Sequence, residues 1–179
     1  VMSIENDWPS RSVMGAVSMS IFKPTKIAEK ITDVTPSMLR GMGVQAVLLD
    51  VDNTLTSYKS HEPVEGAVDW TRRMTAEGFQ LLIVSNNYQS RVEPFAAKFG
   101  IGFITFAMKP LPFGYVKAKN RLKMKASDCV IIGDQVFTDI TGANMSGMKS
   151  ILLSPVEQED GVLFKVRRRL EKSIREKYK

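Results

Sequence analysis

Four short apolar runs that each end near a polar residue constrain the fold of this chain more than any other feature. Residues 44–49, 81–84, 103–106 and 129–132 are rich in Val, Ile, Leu and Phe, and stretches of helical length separate them. Short β-branched runs that alternate with amphipathic helices are typical of βαβ units with a parallel sheet. Ligands of open parallel sheets bind beyond the carboxyl ends of the strands, so the polar residues after these runs should lie together. The pattern predicts an α/β fold with a functional site at that edge.

Amphipathic stretches with apolar residues at helical spacing lie between the runs. Gly78 and Gly100 end two of them, and glycine is common at the C-terminal cap of a helix. Thr35–Pro36 is typical of a cap followed by the first residue of a helix. The predicted helices lie at about residues 67–74, 92–99, 113–122 and 139–145, and a fifth strand follows at 150–153.

Composition and length describe an ordinary globular protein. The 179 residues are 44% hydrophobic and 25% charged, which suits one domain of moderate size. No apolar run is long enough to cross a bilayer, and the only cysteine, Cys129, cannot form an internal disulfide. His61 is the only histidine, which excludes a catalytic relay of histidines. The sequence has neither a Walker motif nor a dinucleotide-binding motif, which argues against P-loop and NAD chemistry. We therefore predict a soluble, cytoplasmic protein.

The basic C-terminal segment is a second feature with functional potential. Leu163, Val166, Leu170 and Ile174 recur at helical spacing, and many of the intervening residues are Lys or Arg. Such a helix can pack its apolar stripe on the parent domain, bind an anionic membrane surface or bind a nucleic acid backbone. Packing is the favoured interpretation, and the net charge of +6 permits all three. We divide the chain into a flexible arm (1–21), the main domain (22–161) and this basic helix (162–179).

Asp50 and Asp52 follow the first apolar run directly and are the strongest indication of catalysis. Two carboxylates this close are costly to bury without a metal or a partner. Asp-x-Asp can also form an Asx turn at the end of a strand, with its side chains bonded to local backbone amides. Polar residues that follow the later runs make catalysis the better interpretation, and they are Ser85, Lys109 and Asp134.

These residues, in this order, resemble the four motifs of the haloacid dehalogenase-like (HAD) superfamily of phosphotransferases. The motifs are found at Asp50–Thr54, Ser85, Lys109 and the pair Asp134 and Asp139. The resemblance implies a Rossmann-like three-layer α/β/α fold with a mainly parallel five-strand sheet. It also implies an enzyme, a Mg²⁺-dependent phosphomonoester hydrolase that works through an aspartyl phosphate. The main rival hypothesis is a noncatalytic scaffold of the same fold that binds RNA, the ribosome or an anionic membrane.

The resemblance also assigns a chemical role to each motif residue. Asp50 would attack phosphorus, and Asp52 would act first as general acid and then as general base. Ser85 would donate a hydrogen bond to a phosphoryl oxygen, and Lys109 would place positive charge beside the phosphate and Asp50. Thr54 would brace the loop.

The same resemblance implies how Mg²⁺ would be held. Asp50, the backbone carbonyl of Asp52 and Asp134 would supply its protein ligands, since Mg²⁺ prefers oxygen ligands. Asp139 would contribute through a water molecule or would orient a neighbouring group.

The spacing of the motifs leaves no room for a cap domain. One helix and one strand fill most of each gap between consecutive motifs up to Lys109. By analogy, an open site suits a phosphate on something large, such as a lipid headgroup, a protein or a nucleic acid end, or a site covered by a partner subunit. A small substrate remains an alternative, nucleic acid is less favoured, and the oligomeric state stays open.

Sequence similarity beyond the generic motifs narrows the resemblance to the YqeG-type phosphatases of HAD subfamily IIIA. The matching segments are residues 84–87, Arg91, 107–110 and 133–139. That group is similar to mitochondrial phosphatidylglycerophosphate phosphatase, so the resemblance implies phosphatidylglycerophosphate or another anionic phosphomonoester as candidate substrate. A lipid substrate would bring peripheral contact with the inner face of a membrane.

Three further polar residues keep two interpretations each. Arg91 either contacts substrate or is a solvated helix arginine. Gln135 and Thr138 either orient the motif-four carboxylates or cap the helix that follows.

Overall fold

The apolar runs form parallel strands of one sheet. The computed structural model describes residues 21–57, 60, 62–157 and 162–178, and within the last helix it describes the side chains from residue 168 onward. The strands are β1 (Lys26–Ala28), β2 (Ala46–Leu49), β3 (Gln80–Val84), β4 (Gly102–Ile104), β5 (Cys129–Gly133) and β6 (Lys149–Leu153). Their order across the sheet is β1-β6-β5-β2-β3-β4, and every adjacent pair is parallel. The predicted parallel α/β fold is confirmed.

The described part of the chain contains six strands, one more than the five predicted. The additional strand, β1, lies at the edge of the sheet and pairs with β6 from Lys26 opposite Ile151 to Ala28 opposite Leu153. Its three residues are only partly buried or exposed, so it lacks the continuous apolar run that marks the central strands. A short edge strand of this kind leaves almost no pattern in a sequence.

Helices cover both faces of the sheet. They are α1 (Pro36–Gly41), α2 (Ala67–Ala76), α3 (Gln89–Phe99), α4 (Phe113–Leu122), α5 (Thr141–Met145) and α6 (Val162–Tyr178). A π-helical segment, Val136–Ile140, precedes α5, and 3-10 turns lie at Ile31–Asp33 and Ala126–Asp128. The predicted cap of α1 is present, since the Oγ1 of Thr35 accepts a hydrogen bond from the Met38 amide at 3.2 Å.

Alternate residues of each central strand enter two different cores. Val47 and Leu49 of β2 pack in a cluster with residues of α1, α2 and α3. Ala46 and Leu48 pack in a second cluster with residues of α4 and α5. Successive side chains of a strand point to opposite faces, so these two clusters are the two sides of the sheet. The result is the three-layer α/β/α arrangement that the resemblance implied.

The described residues contain no cap domain. Among the described residues, no helix or named strand lies between β2 and α2, and only α3 and β4 lie between β3 and the loop that carries Lys109. The carboxyl edge of the sheet is therefore not covered by an inserted domain in this part of the chain. In the same residues, no helix is both long enough and apolar enough to span a bilayer.

The helix α6 contacts the domain differently from the predicted apolar stripe. Ile174 packs with Val136, Ile140 and Leu152, as a packed stripe requires. Leu170 is 57% exposed, while its neighbour Glu171 is completely buried. The side chains of Leu163 and Val166 lie outside the described residues. The buried side of the helix is thus partly charged.

Candidate active site

The register of the three central strands brings the predicted site residues to one edge of the sheet. Leu49, the last residue of β2, pairs with Ile83 of β3 and with Ile132 of β5. The amide of Asp50 then donates to the carbonyl of Ile132 at 3.0 Å. Ser85 and Asp134 follow the ends of β3 and β5, so all three strands deliver polar side chains at the same level.

Lys109 forms a buried ion pair with two of the predicted carboxylates. Its Nζ donates to the Oδ1 of Asp50 at 2.6 Å and to the Oδ1 of Asp139 at 2.7 Å. The Asn86 side chain holds the backbone of Lys109, accepting from its amide at 2.8 Å and donating to its carbonyl at 3.1 Å. Burial alone would lower the pKa of Lys109, but the charges of Asp139 and Asp50 raise it above its ordinary range. Lys109 therefore stays cationic.

Three carboxylates form a buried cluster that fits a divalent cation. Asp50, Asp134 and Asp139 each place one oxygen within 4.8 Å of the others. Desolvation raises the pKa of Asp50, and it raises those of Asp134 to about 8 and Asp139 to about 6. The Oδ1 of Asp134 is buried and has no hydrogen-bond partner among the described residues. An unpaired carboxylate oxygen inside an all-oxygen cluster is what a hard cation such as Mg²⁺ would use.

Asp52 lies outside this cluster and is paired with one polar group just before α3 and one in its first turn. Its Oδ2 accepts a hydrogen bond from the Nδ2 of Asn87, and its Oδ1 forms an ion pair with Arg91. The Arg91 side chain is 25% exposed, so it is not simply a solvated helix arginine. The two predicted catalytic acids thus have different surroundings, with Lys109 beside Asp50 and with Asn87 and Arg91 beside Asp52.

Ser85 is buried next to the same loop. Its Oγ accepts a hydrogen bond from the Asn87 amide at 3.1 Å, and its carbonyl accepts from the Ala107 amide at 3.0 Å. The first of these bonds is typical of a serine whose hydroxyl stabilises a turn, which is a purely structural role. A hydroxyl that accepts one bond can still donate its proton, so Ser85 remains able to donate to a phosphoryl oxygen.

Comparisons with known proteins show the family of this chain. A sequence profile described as haloacid dehalogenase-like hydrolase matches residues 58–147. The probable phosphatase YqeG of Bacillus subtilis (strain 168) is 35% identical over 153 residues, which cover 86% of this chain and 89% of that protein. The chain belongs to the haloacid dehalogenase-like hydrolases. The assignment to a HAD-type phosphatase with a YqeG-type sequence is thereby confirmed at the level of the family.

More distant proteins are also similar. Phosphatidylglycerophosphate phosphatase 1 of Arabidopsis thaliana is 24% identical over 149 residues, which cover 76% of this chain but 42% of that protein. NagD from E. coli K-12 superposes with a TM-score of 0.54 at 15% identity, over 64% of this chain and 89% of that one. The cobalt-bound phosphatase YrbI of Haemophilus influenzae gives 0.50 at 13% identity, over 76% and 90% of the two chains. Similarity at this level shows a shared fold.

Backbone groups help to position motif four in this HAD chain. A Cβ on Gly133 would lie 2.3 Å from the Oδ2 of Asp139, so a residue with a side chain cannot be accommodated without a shift. The same Oδ2 accepts from the Gln135 amide at 3.2 Å. The side chains of Gln135 and Thr138 bond to each other at 3.0 Å. Asp139 is therefore oriented by the Gln135 amide as well as by Lys109. Among the described residues, the side chains of Gln135 and Thr138 neither bond to a motif-four carboxylate nor cap the following helix.

The helix α6 supplies charged groups to motif four that the sequence did not indicate. Arg168 forms an ion pair with the Oδ2 of Asp134, and Arg175 donates to the backbone carbonyl of Asp134 at 2.6 Å. Glu171 accepts from the Val136 amide at 2.9 Å and from Arg168 at 2.9 Å. In the sequence, these residues have the same pattern as a solvated charged face, so only the spacing i, i+3, i+7 could have marked them.

The loop of motif one is held by Asn53 and not by a hydroxyl bond of Thr54. Asn53 has a left-handed backbone with φ of 57°. Its side-chain oxygen accepts from the Glu157 amide at 3.2 Å, and its carbonyl accepts from the Val156 amide at 3.2 Å. The Thr54 hydroxyl is buried without a hydrogen-bond partner in the described residues. His61 lies outside the described residues.

Proposed function

We propose that this HAD hydrolase is a Mg²⁺-dependent phosphomonoesterase in which Asp50 is transiently phosphorylated. The observation that carries this proposal is the buried cluster of Asp50, Asp134 and Asp139 with Lys109 bound to two of its members. A dianionic phosphate repels a carboxylate nucleophile until cations offset its charge. This cluster combines a nucleophile, a fixed ammonium group and oxygen ligands for a metal in one buried place.

The cation would be held by the carboxylates of Asp50 and Asp134 and by the backbone carbonyl of Asp52, with Asp139 next to them. All of these donors are oxygen atoms, which favours Mg²⁺ over softer metals. When bound, Mg²⁺ would neutralise charge on the transferred phosphoryl group. Lys109 supplies further positive charge to the cluster, since its ammonium group contacts both Asp50 and Asp139.

The two aspartates of motif one divide the chemistry. An oxygen of Asp50 forms a bond to phosphorus while the bond from phosphorus to the leaving oxygen breaks, and Asp52 gives its proton to that oxygen. Asp52 then takes a proton from a water molecule that attacks the phosphorus, which releases inorganic phosphate and restores Asp50. In the structure, Asn87 and Arg91 donate to both oxygens of Asp52, so one of these two bonds opens when Asp52 carries the proton.

The proposed substrate is an anionic phosphomonoester, with phosphatidylglycerophosphate as the first candidate. An uncapped sheet edge supports a large substrate, and the similarity to the Arabidopsis phosphatase supports this lipid. For location, we propose the cytoplasm, with peripheral contact at the inner face of the membrane where such a lipid would be reached.

A panel of phosphomonoesters tests the proposal. We expect Mg²⁺-dependent phosphate release that is greatest for phosphatidylglycerophosphate among lipid, sugar, nucleotide and peptide phosphates. Asp50→Asn keeps the shape of the side chain but removes the nucleophile, so it should lower release at least about 1,000-fold. The noncatalytic scaffold would be favoured if the wild-type protein releases no phosphate from any substrate. It would also be favoured if the substitution leaves the release of phosphate unchanged.

A further inference from the structure

A band of exposed apolar side chains flanks the proposed active site. Among the described residues, six large apolar side chains between positions 88 and 116 are at least 41% exposed. We name them the apolar rim: Tyr88, Phe106, Met108, Leu111, Phe113 and Val116. Elsewhere in the described residues, large apolar side chains this exposed occur singly, at Met145, Val156 and Leu170. A contiguous apolar patch on a protein surface usually marks an interaction site.

The rim is continuous with the catalytic residues. The rings of Tyr88 and Phe106 meet edge to face with centroids 5.3 Å apart. Asn87 connects them to the site, because its carbonyl accepts from the Phe106 amide at 3.3 Å and its side chain donates to Asp52. Further along, the Leu111 amide donates to the carbonyl of Met108 at 2.8 Å. Tyr88 and Phe106 of the rim therefore lie beside the residue that holds Asp52.

The loop that carries Lys109 inward also carries two rim residues outward. Exposed and buried residues alternate along this loop. Phe106 is 59% exposed and Met108 is 55% exposed, whereas Ala107 is 1% exposed and Lys109 is 7% exposed. Phe106 and Met108 have φ angles of 49° and 56°, a left-handed backbone that is unfavourable for residues with a Cβ. The fold thus holds two large apolar side chains in water, in an unfavourable conformation, next to a catalytic lysine.

The charge around the rim indicates what it contacts. The chain has no Asp or Glu between Glu93 and Asp128, but it has seven Lys or Arg in that stretch. Lys117 is exposed on α4, directly after Val116 of the rim. Exposed apolar side chains in a basic stretch that lacks carboxylates match the interface of an anionic bilayer, which offers acyl chains below negative headgroups.

We infer that the apolar rim inserts into the surface of an anionic phospholipid bilayer and turns the active site toward phosphate groups in its headgroup layer. The inference rests on the proposed function for its substrate, whereas the binding surface itself is independent of catalysis. The rim side chains enter the acyl boundary, and the ammonium group of Lys117 remains at the headgroups. An uncapped site can then reach a phosphate that stays in the membrane.

Sedimentation of the full chain with vesicles tests the surface. The vesicles are phosphatidylglycerol mixed with phosphatidylcholine, or phosphatidylcholine alone. The rim variant combines Tyr88→Ser, Phe106→Asn and Phe113→Ser, with asparagine at 106 because it tolerates a left-handed backbone. We expect the association constant for anionic vesicles to fall at least about tenfold, since each large apolar side chain loses its burial in lipid. Lys117→Glu should weaken binding most at low salt.

Leu170→Ser is the matched control, since Leu170 is equally exposed but lies on the basic helix α6. It should change vesicle binding less than twofold. Equal loss in both variants would contradict a specific role of the rim, and so would wild-type protein that does not bind anionic vesicles. A rim variant that binds vesicles like the wild type, but turns a dimer into a monomer, would also overturn the inference and assign the rim to self-association.

Hydrolysis of p-nitrophenyl phosphate, which needs no membrane, separates this inference from the proposed function. The rim variant should hydrolyse it within twofold of the wild type and should unfold at the same urea concentration. If no phosphomonoester is hydrolysed but vesicle binding still requires the rim, the catalytic proposal fails while the docking surface stands. If hydrolysis is normal but the rim makes no difference to vesicle binding, the docking surface fails alone.

Discussion

Burial and charge together determine the ionisation of single residues in the site. Lys109 is held as a cation because two carboxylates contact it, although burial opposes its charge. For Asp134, burial has the larger effect: desolvation raises its pKa more than the charge of Arg168 lowers it. A metal would supply the positive charge that this cluster lacks.

Stability should therefore depend on pH in the absence of metal. The pKa of Asp134 is raised by burial from an ordinary value of 3.8 to about 8, and that of Asp139 to about 6. Between the ordinary and raised values the folded state holds more protons than the unfolded chain, so the free energy of unfolding falls as pH rises. Each such group contributes at most about 1.4 kcal/mol per pH unit.

Urea unfolding in EDTA between pH 5 and pH 8 checks this prediction. Stability should decrease over that range, and Asp134→Asn should make the decrease smaller. Addition of Mg²⁺ should stabilise the protein most at the higher pH, where the carboxylates are ionised. Stability that rises with pH in EDTA would show that the buried carboxylates are already ionised and compensated.

At the same scale, the sequence indicates which residues reach the sheet edge but not which side chains they contact. Asp50, Ser85 and Asp134 could be placed because each follows a strand. The ion pair of Asp52 with Arg91 depends on how α3 begins relative to β2, and the two residues lie 39 positions apart. Partner choice of this kind is decided by tertiary geometry, so Arg91 remained ambiguous in the sequence.

Among the elements, the strands with apolar runs were predictable, including the edge strand β4, whereas β1 and the π-helical segment were not. The central strands β2, β3 and β5 are buried almost throughout, which leaves continuous apolar runs. The edge strand β1 and the π-helical segment Val136–Ile140 leave no such pattern. A π-helix differs from an α-helix in its hydrogen bonds and not in its residue types, and such segments are frequent at functional sites.

The helix α6 joins the domain through a buried charge, and this can be tested by substitution. Glu171 is completely buried and accepts hydrogen bonds from the Val136 amide and from Arg168. Glu171→Ala would leave both donors without this partner, and we expect it to lower the free energy of unfolding by about 3 kcal/mol. It should also weaken Mg²⁺ binding in calorimetry, because Arg168 contacts Asp134.

Glu176→Ala on the same helix is the control for this prediction. Glu176 forms an exposed pair with Lys172, at 3.8 Å, with a side chain that is 66% exposed. Its loss should change the free energy of unfolding by less than about 0.5 kcal/mol, as is usual for surface ion pairs. Similar effects of the two substitutions would contradict a specific role of Glu171 at motif four.

At the scale of the whole molecule, the motif order was sufficient to predict the fold and an open sheet edge. The structure agrees, since the described residues carry no inserted cap over that edge. The apolar rim could not be predicted, because Phe and Met are residue types that normally lie in a core, and Phe106, Met108 and Phe113 look like core residues in the sequence. Their exposure becomes visible only when the loop after β4 places its apolar side chains away from both cores.

The central claim is that Asp50 becomes phosphorylated, and a rapid acid quench tests it most directly. The measurement uses Asp52→Asn with p-nitrophenyl phosphate, because this leaving group needs no proton while water activation does need Asp52. The account predicts a burst of one p-nitrophenolate per site and a phosphoryl group on Asp50 in peptide mass spectrometry. Wild-type turnover without a burst in the variant, and without phosphate on Asp50, would contradict it.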